Sequence, residues 1–440
     1  MIVFQTILIG LVFGTQSVRL MVAPQVKSVE VRLDGATIGV AAGEPWTIRC
    51  DFGKAPHPHE LVAVAHDALG KELGRARQWV NLPRPAAEAT LLVERSPQAS
   101  GVLTARLSWN EARGTGPRAV RVTLDGTTLA VRDPRRFELP ACDARQVHIL
   151  SAELAFPEGR TARADAVFGG DLGEETRSEL TAVPVVMEPG SKLPALSELQ
   201  SWFREDDRPL RVLGAEDGPF DVVLVMDPEA QTILSRESGG KGGGSPLADG
   251  RWLSDQRLVF DPAGRSDNRL FVGSVEPERI WGDDQAEHVV FSTHPPAEFV
   301  TSHLRARLAN FVSAPAVTGG QTLAAAMVTN GALAAASNRP RAAVLLCAGT
   351  HSDLGAVTPA DARGYLEDLH VPLVVWSLVG SAEADDWGAA ADVSSARRMD
   401  QAAKQLKNQV AAQRIVWIEG PHLPQRIRLT EDAKGASLAR

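Results

Sequence analysis

Through the first 186 residues, apolar positions come in short runs broken by Asp-Gly, Pro and Gly, the period-two habit of half-buried strands. Val31-Arg-Leu-Asp34-Gly35-Ala-Thr-Ile38 is one such run, and its Asp-Gly pair signals a tight hairpin. Leu61, Ala63 and Ala65 alternate with Val62, Val64 and His66, so this strand is mostly apolar on both faces. Leu69-Gly70-Lys71 then turns into a further strand ending at Trp79-Val80. The same pattern comes again. Val122-Thr-Leu-Asp125-Gly126-Thr-Thr-Leu129 matches the first hairpin, His148 to Gly159 matches His59 to Gly70 without a gap, and Cys142-Asp143 lines up with Cys50-Asp51. An offset of about ninety residues is the size of one immunoglobulin-like sandwich. Two immunoglobulin-like β-sandwich repeats are therefore expected, at 25–85 and 90–186.

Beyond Met187-Glu-Pro-Gly-Ser-Lys-Leu-Pro-Ala195, a Pro/Gly/Ser stretch that predicts a linker over 187–199, the periodicity changes. Phe220 to Met226, Ala342 to Cys347 and Val371 to Trp376 are near-continuous apolar runs of the kind found in strands buried on both faces. Between and after them, Ser302–Val312, Leu323–Ala336, Pro359–Leu369 and Ser395–Gln413 read as helices, and Arg414–Ile418 as a closing strand. This alternation predicts an α/β doubly wound domain over 200–425 with helices on both faces of a parallel sheet, then a tail over 426–440. On that division, a fragment from about 195 onward should fold alone, and so should the repeats.

Composition narrows the function classes. The 440 residues are 44% hydrophobic and 23% charged, ordinary globular usage, with a net charge of -8. Without a clustered basic face, nucleic acid is not an expected partner. Residues 1–22 contain the apolar run Ile2–Phe13 followed by Gly14-Thr15-Gln16-Ser17. This reads either as an export or membrane-anchor signal lacking the usual basic start, or as an ordinary first strand. The export reading implies a secreted, periplasmic or envelope-associated location. Equivalent cysteines in separate repeats would have to bridge two domains, so no Cys50–Cys142 disulfide is expected, and Cys347 reads as a core thiol. His57, His59 and His66 read as solvated loop and strand histidines rather than metal ligands.

Catalytic motifs are missing. The chain has no G-x-S-x-G elbow, and Gly239 to Gly244, with Lys241, departs from the phosphate-binding pattern and reads as a flexible loop. His351-Ser352-Asp353 gathers three catalytic residue types, but as sequence neighbours in a loop following a strand.

Asp221-Val-Val-Leu-Val-Met-Asp227, then Gly319-Gly-Gln-Thr322-Leu-Ala-Ala-Ala-Met327, then Arg341-Ala-Ala-Val-Leu-Leu-Cys347 resembles the block order of a von Willebrand factor type A domain. The resemblance implies a fold that binds protein partners through a divalent cation at the carboxyl edge of its sheet. In the family the ligands are D-x-S-x-S after the first strand, a Thr before a middle helix and an Asp closing the fourth strand, oxygen donors suited to Mg²⁺. Asp227 and Thr322 match, whereas Glu229 and Gln231 replace the serines and Ala348 the closing Asp. The motif is degenerate, with Asp227 and Thr322 vestigial; no cofactor is expected, Mg²⁺ in a rearranged site that uses the Glu229 oxygens being the alternative. The layout and the block Trp79-Val-Asn-Leu-Pro-Arg84 also resemble a group of secreted or periplasmic acidobacterial proteins. The expectation is a non-enzymatic protein-binding, adhesion or scaffold protein that captures a protein partner at a rim of Asp227, Glu229, Gln231, Thr322 and Asp353. A structural module of an envelope assembly and a hydrolase with an unrecognised site are the alternatives.

Overall fold

The computed structural model describes every residue except 1, 7, 9, 83–86, 96–101, 112–115, 157–160, 173–178, 189–190, 192, 238–267, 282–286, 295, 310, 312–321, 349–354 and 381–384. The first unit is a β-sandwich over 2–80. One sheet pairs Ile2–Phe4, Thr15–Val22 and Thr47–Asp51, and the other orders Ala36–Ala41, Ser28–Leu33, His59–His66 and Glu72–Val80. Ile2–Phe4 and Thr15–Val22 are thus strands of the sandwich, where an export or anchor segment was one expectation. Val18 and Leu20 point into the core while Ser17, Arg19 and Met21 face out, and Ile2 pairs with Val22. The repeat accordingly starts ahead of residue 25.

The second unit, over 87–169, repeats this arrangement strand for strand. Ala87–Arg95, Leu103–Glu111 and Arg136–Glu138 form one sheet; Thr127–Leu129, Ala119–Leu124, Val147–Ala155 and Thr161–Gly169 form the other. Both hairpins turn on Asp-Gly with positive φ at each residue (52° and 85°, then 50° and 76°), the two-residue turn that suits right-twisted strands. All three cysteines are free thiols.

A third sandwich was not expected. Leu180–Met187 lies between Gln413–Glu419 and Ala436–Leu438, with Val212–Glu216 on the far side of 413–419, and Phe203–Glu205, Arg208–Pro209 and Ile427–Leu429 form its second sheet. The stretch read as a linker therefore begins at the end of a core strand. Its remainder carries the short helix Leu196–Leu199, whose Leu199 is buried with Trp202 and Phe203. The stretch read as a tail supplies two strands, and 413–419 belongs here rather than to the parallel sheet. Pro184 is tolerated because its missing donor faces the side where the 436–438 strand, which reaches only Val185, has ended.

The described residues between 217 and 412 form an α/β unit inserted into this sandwich. Its ends leave adjacent strands, since Glu216 pairs with Ile415. Along its main path the sheet order is Glu287–Thr293, Arg269–Trp281, Asp221–Met226, Arg341–Cys347, Leu373–Ser377, Ala390–Asp392, parallel except for the first strand; Ala297–Glu298 also pairs, antiparallel, with 269–281. In chain order that is 3-2-1-4-5-6, the doubly wound arrangement. The strands 221–226 and 341–347 are buried at every position because helices cover both faces: Pro228–Glu237, Leu304–Ala309 and Ala396–Ala411 on one, Leu323–Ala336 and Pro359–Asp368 on the other. Thr358 and Asp361 close a reciprocal capping box, with Pro359 in the first turn. Among the described residues, no helix is long and apolar enough to cross a membrane.

Candidate functional site

In a doubly wound sheet the ligand crevice lies beyond the carboxyl ends of the strands, where the strand order reverses. Here that point falls between 221–226 and 341–347, and Asp227 stands on it, fully buried. Its Oδ1 accepts the Ala230 N–H at 2.5 Å, capping the helix Pro228–Glu237. Its Oδ2 accepts the Ala348 N–H at 2.7 Å, from the end of the neighbouring strand. The carboxylate thus stitches the two strand ends together. Thr322 donates its hydroxyl to the Val275 carbonyl at 2.9 Å, and the Gln231 amide donates to the Met226 carbonyl at 3.1 Å. Glu229 is exposed on the first turn of its helix.

Among the described residues these side chains are not gathered as a ligand set. Mg²⁺ needs convergent oxygens with free lone pairs at short, near-octahedral distances. Each Asp227 oxygen accepts one backbone N–H, Gln231 bonds back to the strand that precedes its helix, and Glu229 is exposed. Among the described residues, no three His, Cys, Asp or Glu side chains gather in a ligand-like group. Asp353, His351-Ser352-Asp353, Gly239–Gly244 and Gly319–Gln321 lie outside the described residues. The rim also carries positive charge: Asp392 is ion-paired with Arg398, and Arg305 donates to the Val393 and Ser394 carbonyls. The N-terminal histidines diverge, His57 to Asp368, His59 to Asp34 and His66 to the Gly70 carbonyl.

At the opposite edge of the sheet, sequence reasoning missed a buried ionic cluster. It joins the second sandwich, the α/β unit and the split sandwich. Four guanidiniums (Arg121, Arg163, Arg269, Arg339) meet four carboxylates (Glu153, Asp165, Glu216, Asp221). Arg269 grips Asp221 with two bonds, at 2.7 and 2.6 Å. Arg339, 1% exposed, donates to Glu153 at 2.8 Å and reaches Asp221 at 3.4 Å. Arg163 spans Asp165 at 2.8 Å and Glu216 at 2.7 Å and lies over the Trp417 ring. Burial alone would raise the Glu153 carboxyl, but the surrounding guanidiniums led by Arg339 hold it well below the usual carboxylate range. A cavity of about 30 Å³ lined by Glu153, Arg163 and Arg269 has room for about one water. Only polar residues inside strand runs signalled this cluster: Glu153 in Leu-Ser-Ala-Glu-Leu-Ala, and Asp221 opening an otherwise apolar strand.

Each repeat also contains a His–Asp pair at its hairpin. Asp34 accepts from His59 (2.6 Å) and from the Glu60 N–H, and Asp125 accepts from His148 (2.8 Å) and from the Ile149 N–H. The pairs clamp the turn to the next strand. Their aligned positions in the two repeats were the available signal.

No family model matches this chain, and no curated protein matches it. Among solved structures it is similar to the fibronectin(III)-like modules of Clostridium thermocellum CbhA, at 15% identity over 18% of this chain and 93% of that one, TM-score 0.16. It is similar to a β-glycosidase from Bacteroides vulgatus at 10% identity over 38% of this chain, spanning 24% of that enzyme, TM-score 0.21. Similarity to proximal thread matrix protein 1 from the mussel byssus is 13% identity over 51% of this chain and 50% of that one, TM-score 0.24. Likenesses this partial carry no argument about activity.

Proposed function

We propose that the protein is a non-enzymatic binding or scaffold protein whose α/β unit is a von Willebrand factor type A-like domain that has kept its fold and lost its metal. The observation that carries the reading is Asp227. The first position of the expected ligand set lies at the strand-order reversal, yet its two oxygens hold backbone donors of the helix that follows and of the neighbouring strand's end. A carboxylate used this way preserves the shape of the crevice and removes its Lewis-acid chemistry. The doubly wound strand order supports the type A assignment. The ionic cluster behind the sheet supports the scaffold half, because it ties three units into a body that can present the rim in one orientation. The rim partner is a polar or basic protein surface that meets exposed Glu229. Glu229→Lys is the test: capture of the native partner should fall while the melting curve stays near wild type. Undiminished capture by that variant moves the binding site off this rim.

A further inference from the structure

The helix Pro359–Asp368 ends on a histidine in an unusual position. His370 adopts φ of +53°, the left-handed residue that closes a helix and is normally Gly or Asn. It is held there by its own N–H to the Glu367 carbonyl and by Val371 N–H to the Leu366 carbonyl. The side chain is 2% exposed and crosses to the split sandwich, where Nε2 meets the Pro424 carbonyl at 2.9 Å. A carbonyl can only accept, so Nε2 carries the proton and Nδ1 the lone pair. Nδ1 is buried without a partner among the described residues.

The charged groups around the ring are mostly of one sign. Arg341 approaches from the parallel sheet, and Arg428 and Arg440 from the split sandwich. The acids on its own helix are engaged: Glu367 by Arg440 at 3.3 Å, and Asp368 by His57 of the first sandwich at 2.7 Å. A proton on Nδ1 would create a buried cation among guanidiniums with no acceptor for its new N–H. Only water can supply one.

We propose that this seam is an acid-operated latch, in which proton uptake at His370 releases the 424–440 segment from the helix end 359–371, which stays tied to the first sandwich through His57–Asp368 and Tyr365–Asn81. The Glu153–Arg339 and Asp221–Arg269 pairs would stay closed, because the guanidiniums keep both carboxyls ionised below the pH at which the latch works, whereas burial raises the Glu216 carboxyl. Burial first, then Arg341, lowers the ring from 6.5 to about 4. The sign follows from linkage: the closed seam excludes a proton that the open seam binds, so closure weakens as pH falls from 6.5 toward about 4. Between pH 7.5 and 5.0 the opening equilibrium should rise about thirtyfold, the ratio set by those two values.

Hydrogen exchange on the whole chain, corrected for intrinsic rates, tests this. Protection over 359–371 and 423–429 should fall by about that factor at pH 5.0, while 221–226 and 341–347 stay protected. His370→Gln, whose terminal amide nitrogen reaches the Nε2 position and can donate to Pro424, should abolish the fall; His57→Asn should not. If His370→Gln does not fold, His370→Asn, which suits the left-handed backbone, takes its place. An unchanged wild-type seam at pH 5.0, or a fall that persists without the imidazole, overturns the proposal.

Discussion

Arg339→Met removes a single guanidinium from the junction and nearly conserves its volume, so its cost reports the ionic cluster rather than a cavity. In the wild type, Arg339 neutralises Glu153 and Asp221 together from a buried position. Breaking a buried pair by removing one partner costs about 3–5 kcal/mol, because the other charge stays buried. Here each orphan keeps some cover. Asp221 retains both bonds from Arg269, and Glu153 retains Arg121 and, at 3.9 Å, Arg163. The expected loss therefore sits at the low end, about 3 kcal/mol. Adding Glu153→Gln to the variant should recover part of it, since an amide is far cheaper to bury than an unpaired carboxylate. The coupling in the double-mutant cycle should be about 1–3 kcal/mol. Urea melts followed by tryptophan fluorescence measure this, with Trp417 beneath Arg163 as a probe inside the junction. The variant should also unfold in two steps, the α/β unit having lost its coupling to the second sandwich. A loss under about 1 kcal/mol, or a double variant equal to the sum of the singles, would refute the claim that this cluster joins the units.

Two further outcomes follow from the architecture. A fragment of residues 195–440 should be insoluble or melt without cooperativity, because it lacks the strand Leu180–Met187 that pairs with both 413–419 and 436–438; starting at residue 179 should restore a cooperative melt. Equal cooperativity in both would put that strand outside the folding unit. Asp227→Ala should cost about 3 kcal/mol in a denaturant melt, combining a lost helix cap with a buried orphan donor at Ala348. Millimolar Mg²⁺ should leave the wild-type Tm unmoved, whereas a rise of several degrees that Asp227→Ala abolishes would restore the metal reading.

Local rules were enough to find most of the elements. Continuous apolar runs located the strands 221–226 and 341–347, and apolar spacing located the helices 323–336 and 359–368 to within a residue. The repeated Asp-Gly hairpins marked the paired sandwiches, because a left-handed two-residue turn demands those residue types wherever it occurs. Asp227 stood out as a strand-end carboxylate, and the missing serines and closing Asp argued against a cation there.

What the sequence could not decide was which strands share a sheet. Arg414–Ile418 has the composition of a parallel-sheet strand, yet it pairs with 180–187, more than two hundred residues earlier in the chain. Periodicity reports how a strand is buried and carries nothing about its neighbour, so the split sandwich and the insertion of the α/β unit emerged only from the pairing. Residues 2–22 show the same limit, since an apolar run has no intrinsic register until Thr15–Val22 provides an edge. The ionic cluster is the extreme case. Glu153, Asp221, Arg269 and Arg339 are far apart in the chain, and as single residues they look like ordinary surface charges. Burying an ion is tolerable only when partners of opposite charge and further hydrogen bonds surround it, and that condition exists only where three units meet.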